Sequence, residues 1–134
     1  MTRPAVQAPP GVIEIDERPD AVVVHVRADI DARVAAGLRQ TLFDAVDRRG
    51  HVVLDLADVA TLDPAGLAAL VRAHQWARRR DAMVCFAGPS RFVITVLHTM
   101  RVDGLFPIFD DCRSALEWLR QSPAWPVGPA GDPI

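Results

Sequence analysis

The chain has 134 residues and a formal net charge of −2, and it contains no lysine, tyrosine or asparagine. Without lysine there is no P-loop lysine, Schiff-base lysine or Ser–Lys dyad, and without tyrosine there is no phenolic acid or tyrosyl nucleophile. Codons for the three missing residues are AT-rich, so a GC-rich genome accounts for their absence.

Half of the residues are apolar and 24% are charged, the balance of a globular domain. A chain of this length buries a core without disulfides or metals. The near-neutral charge argues against nucleic acid as a partner, since such domains carry a basic surface. The one basic run, Arg78-Arg79-Arg80, reads as a solvated helix end favoured by the helix dipole. No segment reaches the roughly 18 apolar residues of a spanning helix, so direct membrane insertion is not expected. Arg3 is followed by Pro4, Pro9 and Pro10 rather than an apolar stretch, unlike a signal peptide. Cys85 and Cys112 are far apart and form no CxxC, so free thiols in a cytoplasmic protein are expected.

Residues 1–11 and 122–134 are rich in Pro, Gly and Ala and read as tails, with Trp125 folding back onto the domain. One domain is expected over 12–121. Residues 12–16 alternate weakly, as a short strand does, and Pro19-Asp20 makes a turn. Val22–Val26 is a β-branched run and hence a largely buried strand. From Arg33 to Arg49, Val34, Leu38, Leu42 and Val46 fall at helical spacing, and Gly50 stops the helix. His51–Leu56 is the next strand. Asp63 caps a helix with Pro64 at its first position and Leu67, Leu70, Val71 and His74 on one face. That helix runs through the arginines to Asp81.

Residues 82–87 form a strand, and Ser90 caps a helix with the core stripe Phe92, Val93, Val96, Leu97 and Met100. Residues 105–109 form a last strand, and Asp110 or Asp111 caps a final helix with Ala115, Leu116 and Leu119 inward. The order is β-β-α-β-α-β-α-β-α. Alternation after the first hairpin predicts parallel pairing, and so an α/β fold with a small mixed sheet of about five strands and about four helices.

No catalytic set emerges, and no cofactor is expected. Asp29, Asp31, Asp55, Asp58 and Asp63 cluster near the ends of two parallel strands, where α/β enzymes place metal ligands. Each also has a turn or cap role, which accounts for it without a metal. His25, His51, His74 and His98 show no ligand spacing. Ser90 reads as a cap, Ser114 lies in the last helix and Ser122 begins the tail; none sits in a GxSxG turn. Cys85 lies inside a strand, where a thiol is packing. The eight glycines are scattered singly, so there is no phosphate loop. A small-molecule sensor would need a cavity, which sequence does not show. What remains is Asp63-Pro64-Ala65-Gly66-Leu67, a helix start with exposed N–H groups and partial positive charge. Gly66 would let another backbone approach closely.

Here the sequence resembles the STAS domain family of anti-sigma factor antagonists. Val52–Leu70 is similar to its strand, acidic turn and Asp-Ser-x-Gly-Leu helix start. Ala28-Asp29-Ile30-Asp31 resembles its Gly-Glu-Leu-Asp, Val96-Leu97 through Phe106-Pro107-Ile108 its Leu-x-x-x-Phe segment, and Ala115-Leu116 its final-helix Ala-Leu. The resemblance implies a regulatory binding module rather than an enzyme. Its partner would be an anti-sigma factor with a histidine-kinase-like ATPase fold, which phosphorylates the Ser or Thr after the motif Asp and so ends the interaction. Three departures stand out: Arg101 and Ala28 where the family often has Gly, and Pro64 at the phosphorylatable position, followed by Ala65. Proline has no hydroxyl, so that switch is lost; Thr61, three residues earlier, is not expected to replace it. The contact segment expected from the resemblance is Asp63, Pro64, Ala65, Gly66 and Leu67, with Asp29 and Asp31 beside it. Gly66→Arg is expected to abolish binding and leave the fold intact. Two alternatives stay open: a scaffold in a signalling assembly, or an accessory subunit of an ABC-type lipid transporter. A homodimer through a strand face or the Trp125 tail is also compatible with the sequence.

Overall fold

The computed structural model describes residues 11–121. The expectations for the tails at 1–10 and 122–134, Trp125 included, lie outside the described residues. Ten elements follow one another: β1 Ile13–Glu17, β2 Val22–Val26, α1 Ala32–Arg49, β3 Val52–Asp55, α2 Pro64–Arg78, β4 Val84–Ala87, α3 Arg91–Thr99, a 3₁₀ turn at Asp103–Leu105, β5 Ile108–Phe109 and α4 Cys112–Gln121. The sheet order is β1-β2-β3-β4-β5. The β1–β2 hairpin is antiparallel, and the three later pairings are parallel, as the alternation of elements predicts.

Strand side chains alternate between two faces. Val22, Val24, Val52, Leu54, Val84 and Phe86 point into the larger core, which α1, α2 and α3 cover. Val23, Val53 and Cys85 point the other way, into a smaller core closed by Ala115 and Leu119 of α4. The central strands are therefore buried on both faces, which explains their near-continuous apolar sequence. No residue of the buried set is polar or charged among the described residues.

Several details differ from the expectation. The strands expected to begin at His51 and Ala82 are shorter, at Val52–Asp55 and Val84–Ala87, and the Met83 amide donates to His51 Nδ1 (3.2 Å). The last strand shrinks to two residues, since Asp103–Leu105 wind into a 3₁₀ turn. Of the two expected caps of α4, Asp111 is the one used, accepting from the Ser114 amide at 2.8 Å. The α3 stripe is only partly core: Val93 and Leu97 are fully buried, but Phe92 and Met100 are 52% and 56% exposed. Those two lie on the flank facing away from the sheet, a consequence of their four-residue spacing from Val96.

The arginine run is not simply solvated. Arg80 lies over the Trp76 ring (3.6 Å to its centre) and pairs with Asp47 of α1 at 2.9 Å. Trp76 in turn stacks on Phe43 and donates its indole N–H to Asp47 (2.9 Å). These contacts clasp the C-terminal halves of α1 and α2. At the end of α3, Arg101 adopts φ 60°. Its amide bonds the His98 carbonyl and that of Val102 bonds Leu97, the paired closure of a Schellman turn. A left-handed residue is what that turn requires, and glycine supplies it with least strain.

Candidate partner-binding site

The C-terminal ends of β2 and β3 lead into two loops that stay together. Ile30 and Leu62 form an isolated parallel bridge beyond the strands. The Ile30 amide donates to the Thr61 carbonyl, and the Asp63 amide to the Ile30 carbonyl, both at 3.1 Å. Asp29 locks the pair: one carboxylate oxygen accepts from the Ala60 and Thr61 amides, at 2.9 and 3.0 Å. These backbone N–H bonds, Thr61's first, hold the Asp29 carboxyl below its usual pKa, because they favour the ionised form.

The two loops deliver two helix starts side by side. Asp31 caps α1 by accepting from the Val34 amide (3.0 Å), and Asp63 caps α2 by accepting from the Gly66 amide (2.9 Å). Pro64 occupies the first position of α2, where a missing N–H costs no hydrogen bond. Gly66 faces inward. A Cβ there would sit 2.5 Å from Ile30 Cγ2 and 2.8 Å from both the Ile30 carbonyl oxygen and Leu62 Cδ1. The backbone that approaches Gly66 is thus the chain's own. A large side chain at 66 would break the loop pairing, so Gly66→Arg does not leave the fold intact.

All of the expected contact residues converge on this one end of the molecule, but they divide by exposure. Asp29, Asp31, Pro64 and Ala65 face solvent, Asp63 is half-buried, and Gly66 and Leu67 are buried. Exposed Ala68, on the next turn, was not anticipated; small residues at an exposed helix start carry no periodic signal. Thr61 is exposed in the loop, off the helix, and Ala28 is half-buried at the start of the β2 loop.

The remaining candidates have local partners. Asp55 accepts from His25 Nδ1 (2.6 Å) and from the Ala57 amide (3.0 Å), and Asp58 pairs with Arg27 (2.9 Å). His74 packs edge-on against Phe106, and its burial, with Arg78 nearby, lowers its pKa. His98 bonds Asp103 at 3.1 Å. Both cysteines are free, Cys85 buried and Cys112 half-buried. Among the described residues, no cluster of three His, Cys, Asp or Glu could hold a metal ion. No described helix is long and apolar enough to cross a membrane.

A family model, the STAS domain, matches residues 12–115. The chain belongs to the STAS domain family. Solved structures agree in fold. A candidate anti-sigma factor antagonist from Thermotoga maritima superposes with a TM-score of 0.76 at 20% identity, over 82% of this chain and 96% of that one. An anti-sigma factor antagonist from Mycobacterium paratuberculosis gives 0.72 at 23% identity, over 85% and 98%. The murine anion transporter Slc26a9 gives 0.68 at 14% identity, over 79% of this chain and 18% of the transporter. At these identities the likeness is one of fold. The STAS match spans the β2 loop, the β3 loop and the start of α2, Pro64 included.

Proposed function

We propose that this STAS domain is a cytoplasmic protein-binding module that docks a kinase-like anti-sigma factor through the first turn of α2, and that no phosphate at position 64 ends the interaction. One observation carries the reading: Pro64 and Ala65 stand exposed at a helix start braced from beneath by Gly66, Ile30 and Leu62, with Asp29 and Asp31 beside them. A braced turn of small residues lets a partner surface come close without reordering side chains. Phosphorylation would add about −1.5 to −2 charges at such a contact, and this chain has removed the acceptor. The domain would then stay in its binding-competent state, with partner supply or ligand level as the control. Nothing in the reading calls for catalysis by this chain.

The likeness to the murine transporter supports a second reading, in which the domain is a cytoplasmic accessory to a transport protein. Genes flanking this one separate the two: a kinase-like ATPase or sigma factor supports the first, a transport operon the second. The direct test uses the full chain and each kinase-like anti-sigma factor of the same genome. Binding is expected to persist with ATP present. Ala65→Arg should weaken it at least tenfold, and Pro64→Ser should restore ATP-dependent release. Unchanged affinity in Ala65→Arg would place the interface elsewhere, and failure to bind any such partner would end the first reading.

A further inference from the structure

Beside the α2 start lies a groove whose near end shares Leu62, Asp63, Pro64 and Leu67 with the docking segment. α2 packs closely against α1 and β4. Its opposite flank faces α3 across this groove of about 570 Å³. That volume falls within the range of roughly 300–1,000 Å³ typical of small-molecule sites. The walls are apolar: Leu67 and Val71 from α2, Val96 and Met100 from α3. Met100 is 56% exposed and Val96 half-buried, although the sequence places both on a core stripe. Phe92, one turn before Val96 on the same flank and 52% exposed, extends the apolar surface.

The two ends of the groove differ in charge. Asp63 stands at the N-terminal end of α2, and Arg72 and Gln75 stand at the other. Arg72 lies nine positions after Asp63, about 13 Å at the rise of an α-helix. Arg72 has no carboxylate partner among the described residues, unlike Arg27, Arg80 and Arg120. A guanidinium with a side-chain amide one turn on suits a planar carboxylate, which it can hold with two parallel bonds. One such cation matches one negative charge. Asp63 at the far end repels a second acid group and leaves the apolar walls to take a hydrocarbon body.

We propose that this groove binds a small amphipathic monocarboxylate, its acid group on Arg72 and Gln75 and its chain lying along Leu67, Val71, Val96 and Met100. The groove shares Asp63, Pro64 and Leu67 with the docking segment, but the ligand proposal does not require that docking occurs, and its test uses no partner protein. Ala68 lies exposed on the groove wall, so a large side chain there fills the groove without entering the core.

The test is calorimetric titration of the full chain with decanoate, below its micellar concentration, with decylammonium as the charge-reversed probe. Decanoate is expected to saturate one site and to bind about tenfold tighter than decylammonium. Ala68→Trp should weaken decanoate at least tenfold, and Arg72→Glu should reverse the preference between the two probes. Absence of saturable decanoate binding would overturn the proposal. So would equal affinity for the two probes, or decanoate binding that neither substitution alters.

Discussion

Two residues carry opposite lessons about backbone space. Gly66 has no room for even a methyl group, since the nearest obstacles include the Ile30 carbonyl, which moves only if the loop pairing moves. Overpacking of this kind costs about 1–3 kcal/mol, against a gain of about 1 kcal/mol from replacing glycine in a helix. Gly66→Ala should therefore lower stability by up to roughly 2 kcal/mol in urea denaturation. Arg101 is the reverse case. It holds φ 60° with a Cβ, which costs about 1–2 kcal/mol. Allowing for the extra freedom of glycine in the unfolded chain, Arg101→Gly should stabilise by about 1 kcal/mol. A loss of stability in Arg101→Gly would mean that the side chain itself holds the turn. The sequence already marked both positions, Gly66 by the DPAGL segment and Arg101 by its departure from a family glycine. It could not show that one serves close packing and the other a left-handed turn, because both demands read as glycine.

At the scale of elements, the α1 and α2 starts are coupled through Asp29. Its carboxyl is held below the usual carboxylate range by the Thr61 and Ala60 amides. A group with a depressed folded-state pKa contributes stability that is full above its unfolded pKa and is lost as pH falls through the folded one. Asp29→Ala should accordingly destabilise the protein at neutral pH. The gap between wild type and variant should narrow as pH drops below about 4. A gap independent of pH would assign the loss to packing instead. Helix and strand identities were legible because the periods of 3.6 and 2 are strong over α1, α2, β2 and β3. The Asp29 clamp was not, since a loop carboxylate bonding amides thirty residues away leaves no local pattern. The same holds for the Trp76 clasp, whose partners Phe43 and Asp47 belong to another helix. The groove was hidden for a different reason. Helical spacing identifies an apolar flank of α3 but not whether a neighbouring helix covers it.

Across the whole molecule the two thiols report on different depths. Burial raises the Cys85 thiol far above its usual range. Burial, with the charges of Asp55 and Asp111, raises Cys112 to about 11. The thiolate is the reactive form, so both should label slowly in the native state. Cys85, on β4, faces α4 in the smaller core. Its alkylation rate should fall with any substitution that raises global stability and rise with any that lowers it. Cys112, at the first position of α4, should label at a rate set by local fraying of that helix. Mass-resolved iodoacetamide labelling of the folded protein separates the two. Equal rates for both thiols would show that α4 opens as readily as it frays.

The placement of the helices also sets a timetable for synthesis. Three successive crossovers, α1, α2 and α3, all fall on one face of the sheet, and the other face waits for α4, the last described element. A nascent chain that has emerged only as far as β5 can close its larger core. It still presents Val23, Val53, Met83 and Cys85 to solvent. At about 5–20 residues per second, and with the ribosome retaining the newest segment, that interval is on the order of seconds. During it, a sheet face that is sealed in the finished protein is open to chaperones, to oxidants and to other nascent chains.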